Sequence, residues 1–283
     1  MASVRIVYDD QAGVFESRAG LPEEVAARVA AAVRRHGELG ADDLLVEVGA
    51  GTGVIGQWLA RPPGRYLGFD SSRAMLEVFR PRLRPGAVAT LLYADADRSW
   101  PVRTGSASVI FGSRVLHLLH PEHAVREIRR VAHPRGAVLL CGRVEHSPDS
   151  PRARARAKLR DLLAAHGLQP GPTGGRPQRL LALAQAKRAA PLPSQVAAAW
   201  PETVTVTQVI NWWRGKTSIG GVNPAPAVAE KVLVALTAWA VDTYGDPAPA
   251  VTTETRYLLE GVRLPPAAPA TGAERMDPRP AEE

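Results

Sequence analysis

The chain has 283 residues, enough for one large or two modest domains, and its hydrophobic (45%) and charged (22%) fractions are those of a soluble globular protein. A single cysteine, Cys141, excludes a disulfide framework and favours a reducing compartment, while no apolar run approaches the ~18 residues that span a membrane. The formal charge of +7 leaves an anionic partner to be tested.

The opening MASVRIVYDD lacks the charged-then-apolar layout of a signal peptide, so a cytoplasmic location is expected. Residues 21–36 predict a helix, with Pro22 in its first turn, Glu23 and Glu24 at its positive end and Gly37 as a stop. Strands and helices then alternate. Strands are expected at 44–48, 65–69, 87–93, 108–111 and 137–141, with helices near 54–60, 72–79 and 121–132. This rhythm predicts a doubly wound, mostly parallel α/β sheet that binds its ligand at the C-terminal edge of the strands.

After Arg143 the pattern changes. Helices are expected at 151–166 and 177–188 around the Gly/Pro-rich GLQPGPTGGRP, then a strand passing into a helix within 204–214. A long apolar helix at 224–245 and a terminal strand at 252–264 follow. Residues 265–283, rich in proline and alanine, carry no apolar period and read as a disordered tail. The basic run RARARAKLR, from Arg152 to Arg160, places charges all round a helix, which reads as a solvated surface before a contact for an anionic partner.

Chemistry concentrates in LLVEVGAGTGVIG. Gly51, Gly53 and Gly56 fit the G-x-G-x-x-G spacing of dinucleotide folds, but Glu47 stands just before the turn. A carboxylate there repels a pyrophosphate and welcomes an ammonium or sulfonium. Asp70, about 20 residues on, is placed to accept from ribose hydroxyls. Asp95, in YADAD, is placed to accept from the exocyclic amine of adenine, and Met75 to pack on the base or in the core.

VEVGAGTG, GFDSSRAML, YADAD and SASVIFGSRVLHLLHPEHAVREIRRVAHPRGAVLL, in that order, resemble the class I S-adenosylmethionine-dependent methyltransferases of the small-molecule and quinone-biosynthesis type. AHPRG replaces that family's usual L-x-P-G-G turn, with Arg135 where a glycine is common. The resemblance implies a seven-stranded Rossmann-like sheet with an N-terminal helical flap and helical lid insertions. It implies one domain over 1–264: flap and helix at 1–40, cofactor core at 41–143, helical additions at 144–250 and a terminal strand at 251–264.

It also implies S-adenosyl-L-methionine as cofactor and S-adenosyl-L-homocysteine as product. Gly49, Ala50, Gly51 and Gly53 would hold the methionine part, with Glu47 near its ammonium or ordering the turn. Asp70 would take the ribose, Asp95 and the Ala96 backbone the adenine, and the Ser113 backbone the methionine end, with Ser71 and Met75 also against the cofactor. Tyr8 and Arg18 belong to the flap, where Tyr8 would cap the site and Arg18 pair with the cofactor carboxylate or lie on the surface.

Methyl transfer from a sulfonium is an in-line displacement that depends on positioning, with a base needed only when the nucleophile keeps its proton. His117 is the candidate base, although packing beside the cofactor accounts for it as well; His120 reads as a turn or cap, and His146 also falls on the ligand edge. Trp212 and Trp213 suit either a substrate wall or a core. A small-molecule acceptor with an O, N or C nucleophile is the expected partner, with no metal, no membrane, and a monomer or homodimer. A nucleic-acid or protein methyltransferase is the alternative, supported by charge but lacking an N-P-P-Y-type motif where GSRV stands. A cofactor-binding scaffold without turnover is the third reading.

Overall fold

The computed structural model describes residues 20–169, 175–216 and 218–266. The expected flap with Tyr8 and Arg18, the His117 side chain and tail residues 267–283 lie outside the described residues.

Helix α1 (Glu23–Gly37) buries Val25, Ala26, Val29, Ala30 and Val33 along one stripe, with acids in its first turn and Arg34, Arg35 and His36 in its last. Beyond it the expected alternation appears: β1 (Leu44–Val48), α2 (Gly56–Leu59), β2 (Arg65–Asp70), α3 (Arg73–Phe79), β3 (Ala89–Tyr93), β4 (Val109–Ser113), α4 (Pro121–Val131) and β5 (Ala137–His146). The cap follows as α5 (Pro151–Ala165), α6 (Gly175–Ala186), β6 (Ala190–Val204), α7 (Val206–Asn211) and α8 (Pro226–Tyr244), and β7 (Val251–Leu264) closes the order.

One seven-stranded sheet runs β3-β2-β1-β4-β5-β7-β6. Strands β1 to β5 pair in parallel, and β7 is antiparallel to both β5 and β6. The order reverses between β1 and β4, which opens a crevice at their C-terminal ends. Apolar side chains fill both faces. Val46, Val48, Ile110 and Leu139 meet Val125 and Ile128 of α4 and Leu180 of α6, whereas Leu45, Phe111, Leu140 and Tyr257 cluster with Val29 and Val33 of α1.

Two features depart from the sequence expectation. Strand β5 extends five residues further, because β7 pairs with it from Ala137 to His146. Strand β6 has no counterpart in the sequence pattern. It carries Pro191, Pro193 and Pro201, which lack an N–H and are tolerated because β6 is an edge strand. The register slips between Leu192 and Gln195, around Pro193. The additions at 144–250 are therefore not wholly helical; they also supply a sheet edge. Thr205 then ends the strand and starts α7 through a capping box with Gln208. Helices α5, α7 and α8 share a separate core of Leu159, Leu163, Val209, Ile210, Val232 and Leu236.

Candidate active site

Strand β1 delivers Glu47 to the sheet edge, and the chain then turns through three glycines with φ of +67°, +53° and +78° at Gly49, Gly51 and Gly53. The last two requirements differ. A Cβ at Gly53 would stand 2.0 Å from the Phe79 ring, so this glycine serves α3 packing, whereas at Gly51 nothing lies within 4 Å. The turn is tied to the end of β2: Gly49 N and Ala50 N donate to Phe69 O at 2.9 and 3.1 Å. Gly51 N donates to Asp70 Oδ2, and Ser72 N to Asp70 Oδ1, both at 2.9 Å. Asp70 thus orders the glycine turn and the entry to α3 together.

A cavity of about 280 Å³ opens at this point, just below the usual range for small-molecule sites. It is lined by Glu47, Gly49, Ala50, Gly51, Asp70, Met75 and Ser113, seven of the residues expected from the sequence. Gly53, Ser71, Asp95 and Ala96 are not in its wall. Asp95 and Ala96 follow β3 on the same edge, where Ala94 N donates to Asp70 O. Asp95 Oδ1 accepts from Asp97 N at 3.0 Å, and Ala96 O accepts from Trp100 Nε1 at 2.9 Å. Trp100 is buried, packs on Phe69, and gives its backbone N–H to Glu127 Oε2 at 2.7 Å. The hydrogen bond from Arg130 is the main reason Glu127 stays below the usual carboxylate range. This network anchors the post-β3 loop on α4.

The wall also holds residues that sequence reasoning missed: Thr52, Val54, Ile55, Arg114, Val115 and Leu118. Thr52 Oγ1 is buried and has no hydrogen-bond partner among the described residues. Arg114 follows β4 with φ of +57°, a left-handed value uncommon for a residue with a side chain. Burial lowers its pKa. Beside it, Ser113 Oγ accepts from the buried Tyr257 hydroxyl at 2.6 Å. His117 belongs to the short 3₁₀ turn Leu116–Leu118, whose last residue reaches the cavity.

Glu47 is 2% exposed, and its Oε2 accepts from the Tyr66 hydroxyl. Burial pushes its carboxyl up to about 8, against the opposing Tyr66 hydrogen bond and with a smaller push from the Asp70 charge. Further out on β5, His146 Nδ1 lies 3.2 Å from both Thr255 Oγ1 and Glu202 Oε2. Arg152 grips Glu202 through Nε at 2.9 and 3.0 Å and Nη2 at 2.6 Å, and its guanidinium lies 3.8 Å from the Trp212 ring centroid. The basic run is therefore not simply a solvated surface. Arg152 joins cap to sheet, and Arg154 lies over the Tyr244 ring. Trp213 packs against the cap core.

Residues 46–140 match the family model described as a methyltransferase domain. This segment is a methyltransferase domain. A methyltransferase domain marks the chain as an enzyme. No curated protein matches the chain. Among solved structures, a proposed methyltransferase of Bacillus halodurans C-125 is 13% identical with a TM-score of 0.53, covering 83% of this chain and 98% of that one. A proposed type II methyltransferase of Anaeromyxobacter dehalogenans is 17% identical (TM-score 0.51; 83% and 97% covered). The YcgJ protein of Bacillus subtilis is 20% identical (TM-score 0.50; 83% and 97% covered). At these identities the likeness is one of fold.

The donor set fits S-adenosyl-L-methionine, the cofactor that the sequence resemblance implies. Two carboxylates, Glu47 and Asp70, suit an ammonium, a sulfonium and ribose hydroxyls, Thr52 Oγ1 offers a hydroxyl, and Met75 supplies an apolar surface for a base. Among the described residues no group of acids, histidines and cysteines could hold a metal, and no helix is long and apolar enough to cross a membrane.

Proposed function

We propose that this chain uses S-adenosyl-L-methionine to methylate a small-molecule acceptor at an O, N or C nucleophile. The observation that carries the reading is the walled cavity at the β1/β4 switch point, bounded by Ile55, Met75, Val115 and Leu118. A methyl held inside such a recess is reached by a small acceptor more readily than by a polymer surface. The strongest sequence argument for a nucleic-acid partner was the arginine run, and Arg152 within it is engaged by Glu202 and Trp212.

In this reading Gly49–Gly53 and Thr52 bind the methionine part, Asp70 and Ser71 the ribose, and Asp95 with the Ala96 backbone the adenine. The Ser113 backbone lies along the methionine end, and Glu47 compensates the ligand's positive charge. The cofactor supplies an electrophilic methyl on sulfur. The chain contributes orientation, exclusion of water by the apolar wall, and charge compensation. His117 takes the acceptor proton where one must leave. Tyr8 and Arg18 close the site from a flap, residues 1–264 act as one domain, and the protein works in the cytoplasm.

The test is direct. Purified protein is incubated with S-adenosylmethionine and a panel of phenolic, amine and activated-carbon acceptors, and S-adenosylhomocysteine and methylated product are measured by mass spectrometry. Turnover with a small acceptor supports the reading. Binding of neither nucleotide at millimolar concentration would sink it, and salt-sensitive RNA binding with RNA methylation would replace it.

A further inference from the structure

Tyr66 is the second residue of β2, yet its hydroxyl meets the Glu47 carboxyl beside the cavity. Glu47 pairs in register with Gly68, two residues beyond Tyr66 on the same strand. The ring therefore runs along the sheet past Gly68, where a Cβ would stand 2.5 Å from Tyr66 Oη. From the helix side, a Cβ at Gly56 would stand 2.7 Å from both Glu47 Oε2 and Tyr66 Oη. Two glycines on two elements clear the space around one hydrogen bond. Neither Tyr66 nor Glu47 is more than 2% exposed.

The groups facing Glu47 are few. Asp70 and Tyr66 come from β2, Tyr257 from β7, and Arg114 from the end of β4 shares the cavity wall. Gly56 of α2 and Phe79 of α3, packed around the pair, are uncharged. Burial, with Glu47 beside it, holds the Tyr66 proton on far above neutral pH, so this hydroxyl remains a donor. A carboxyl pushed up to about 8 is mostly protonated at neutral pH and ionises when a cation arrives.

We propose that Tyr66 is a positioning residue for cofactor binding: the cationic ligand drives a proton from Glu47 to solvent, and the Tyr66 hydroxyl holds the resulting carboxylate toward the ligand's positive charge. The inference rests on reading the cavity as the cofactor site. No bond of the cofactor changes in this step; only the Glu47 O–H bond breaks.

Calorimetric titration with S-adenosylmethionine, in buffers of differing ionisation enthalpy at pH 7, counts the protons released. The wild-type protein is expected to release about 0.9 proton more than Glu47→Gln, a difference that cancels the ligand amine's own titration. Tyr66→Phe removes the donor that favours the carboxylate, so its affinity falls about tenfold at pH 7. The ratio of wild-type to variant affinity then narrows toward unity by pH 9.5, where Glu47 is ionised in either protein. A merely structural hydroxyl predicts a ratio independent of pH, and that result overturns the proposal. Equal proton release by wild type and Glu47→Gln overturns it too, while leaving the cofactor reading intact. Absence of any wild-type binding isotherm overturns both. Should a variant fail to fold, the wild-type titration decides once the free ligand amine's own titration is subtracted: remaining release at pH 7 supports the coupling, and none defeats it.

Discussion

Strands β1, β2 and β4 bring Glu47, Asp70 and Ser113 to one cavity at their C-terminal ends, whereas the end of β5, the end of β6 and the start of β7 meet in a network around His146, Glu202 and Thr255. Each region contains a largely buried carboxylate, and the two are shifted in opposite directions. Glu47 is pushed up to about 8 because burial outweighs its one hydrogen bond. Glu202 is brought down to about 2: burial raises it, but the hydrogen bonds from His146 and Arg152 and their charges overcome that. A structural joint satisfies its charges within the protein, while a ligand site holds groups whose best partner arrives from outside.

The largest test of the contrast removes Asp70. Its two oxygens accept from the turn and from the start of α3, and it faces the cavity. Asp70→Ala should weaken S-adenosylhomocysteine binding by about 100-fold or more, the loss expected for two charge-assisted hydrogen bonds. Calorimetry measures it, and an effect below tenfold would remove Asp70 from the site.

The next change probes the cap alone. Leu159 is fully buried among α5, α7 and α8. Leu159→Ala should cost about 3 kcal/mol of cap stability. If the cap is a separable core, scanning calorimetry will show an early transition with cofactor affinity within about twofold of wild type. A single transition at lower temperature would show that the regions melt as one.

Glu202→Gln follows, at about 2 kcal/mol after allowance for solvent screening. Because the folded carboxyl lies below its ordinary value of 4.5, its contribution is complete above that value and is lost as pH falls toward 2. Urea midpoints should therefore separate wild type from variant at pH 7 and converge below pH 3. A constant gap across that range would show that packing, not charge, explains the effect.

The two regions also differed in what the residues disclosed. In the cofactor half, glycine spacing and strand-end acids reflect backbone geometry that few residue types satisfy, so Glu47, Gly51 and Asp70 were readable before any coordinates. Gly53 fitted the same pattern for another reason, the Phe79 ring. Thr52, Arg114 and Val115 line the cavity because of where the turns fold, which no local pattern announces. In the cap half, β6 hid behind prolines that an edge strand accepts, and its identity depends on a partner, β7, some fifty residues later. The Thr205–Gln208 capping box marked its end and was legible as T-x-x-Q. Arg152 looked like one solvated charge among several, because its acid lies on another element.

The smallest effect gives the sharpest comparison. Ser72 and Ser150 are both buried N-caps, accepting from Met75 N at 3.2 Å and from Ala153 N at 3.1 Å. Alanine at either should cost about 1 kcal/mol of stability, since the same orphan donor loses its partner. Their effects on binding should differ. Ser72 starts α3, which carries Met75 into the cavity wall, and its backbone N–H fixes Asp70. Ser150 starts α5, and its hydroxyl otherwise donates to Ser147 O at 2.6 Å. Ser72→Ala should therefore loosen S-adenosylhomocysteine binding by a few-fold, about 1 kcal/mol, while Ser150→Ala leaves it unchanged. Paired melting curves and titrations measure both. If Ser150→Ala weakens binding equally, the cap reports to the cofactor turn, and the separation between satisfied joint and waiting site fails at its smallest increment.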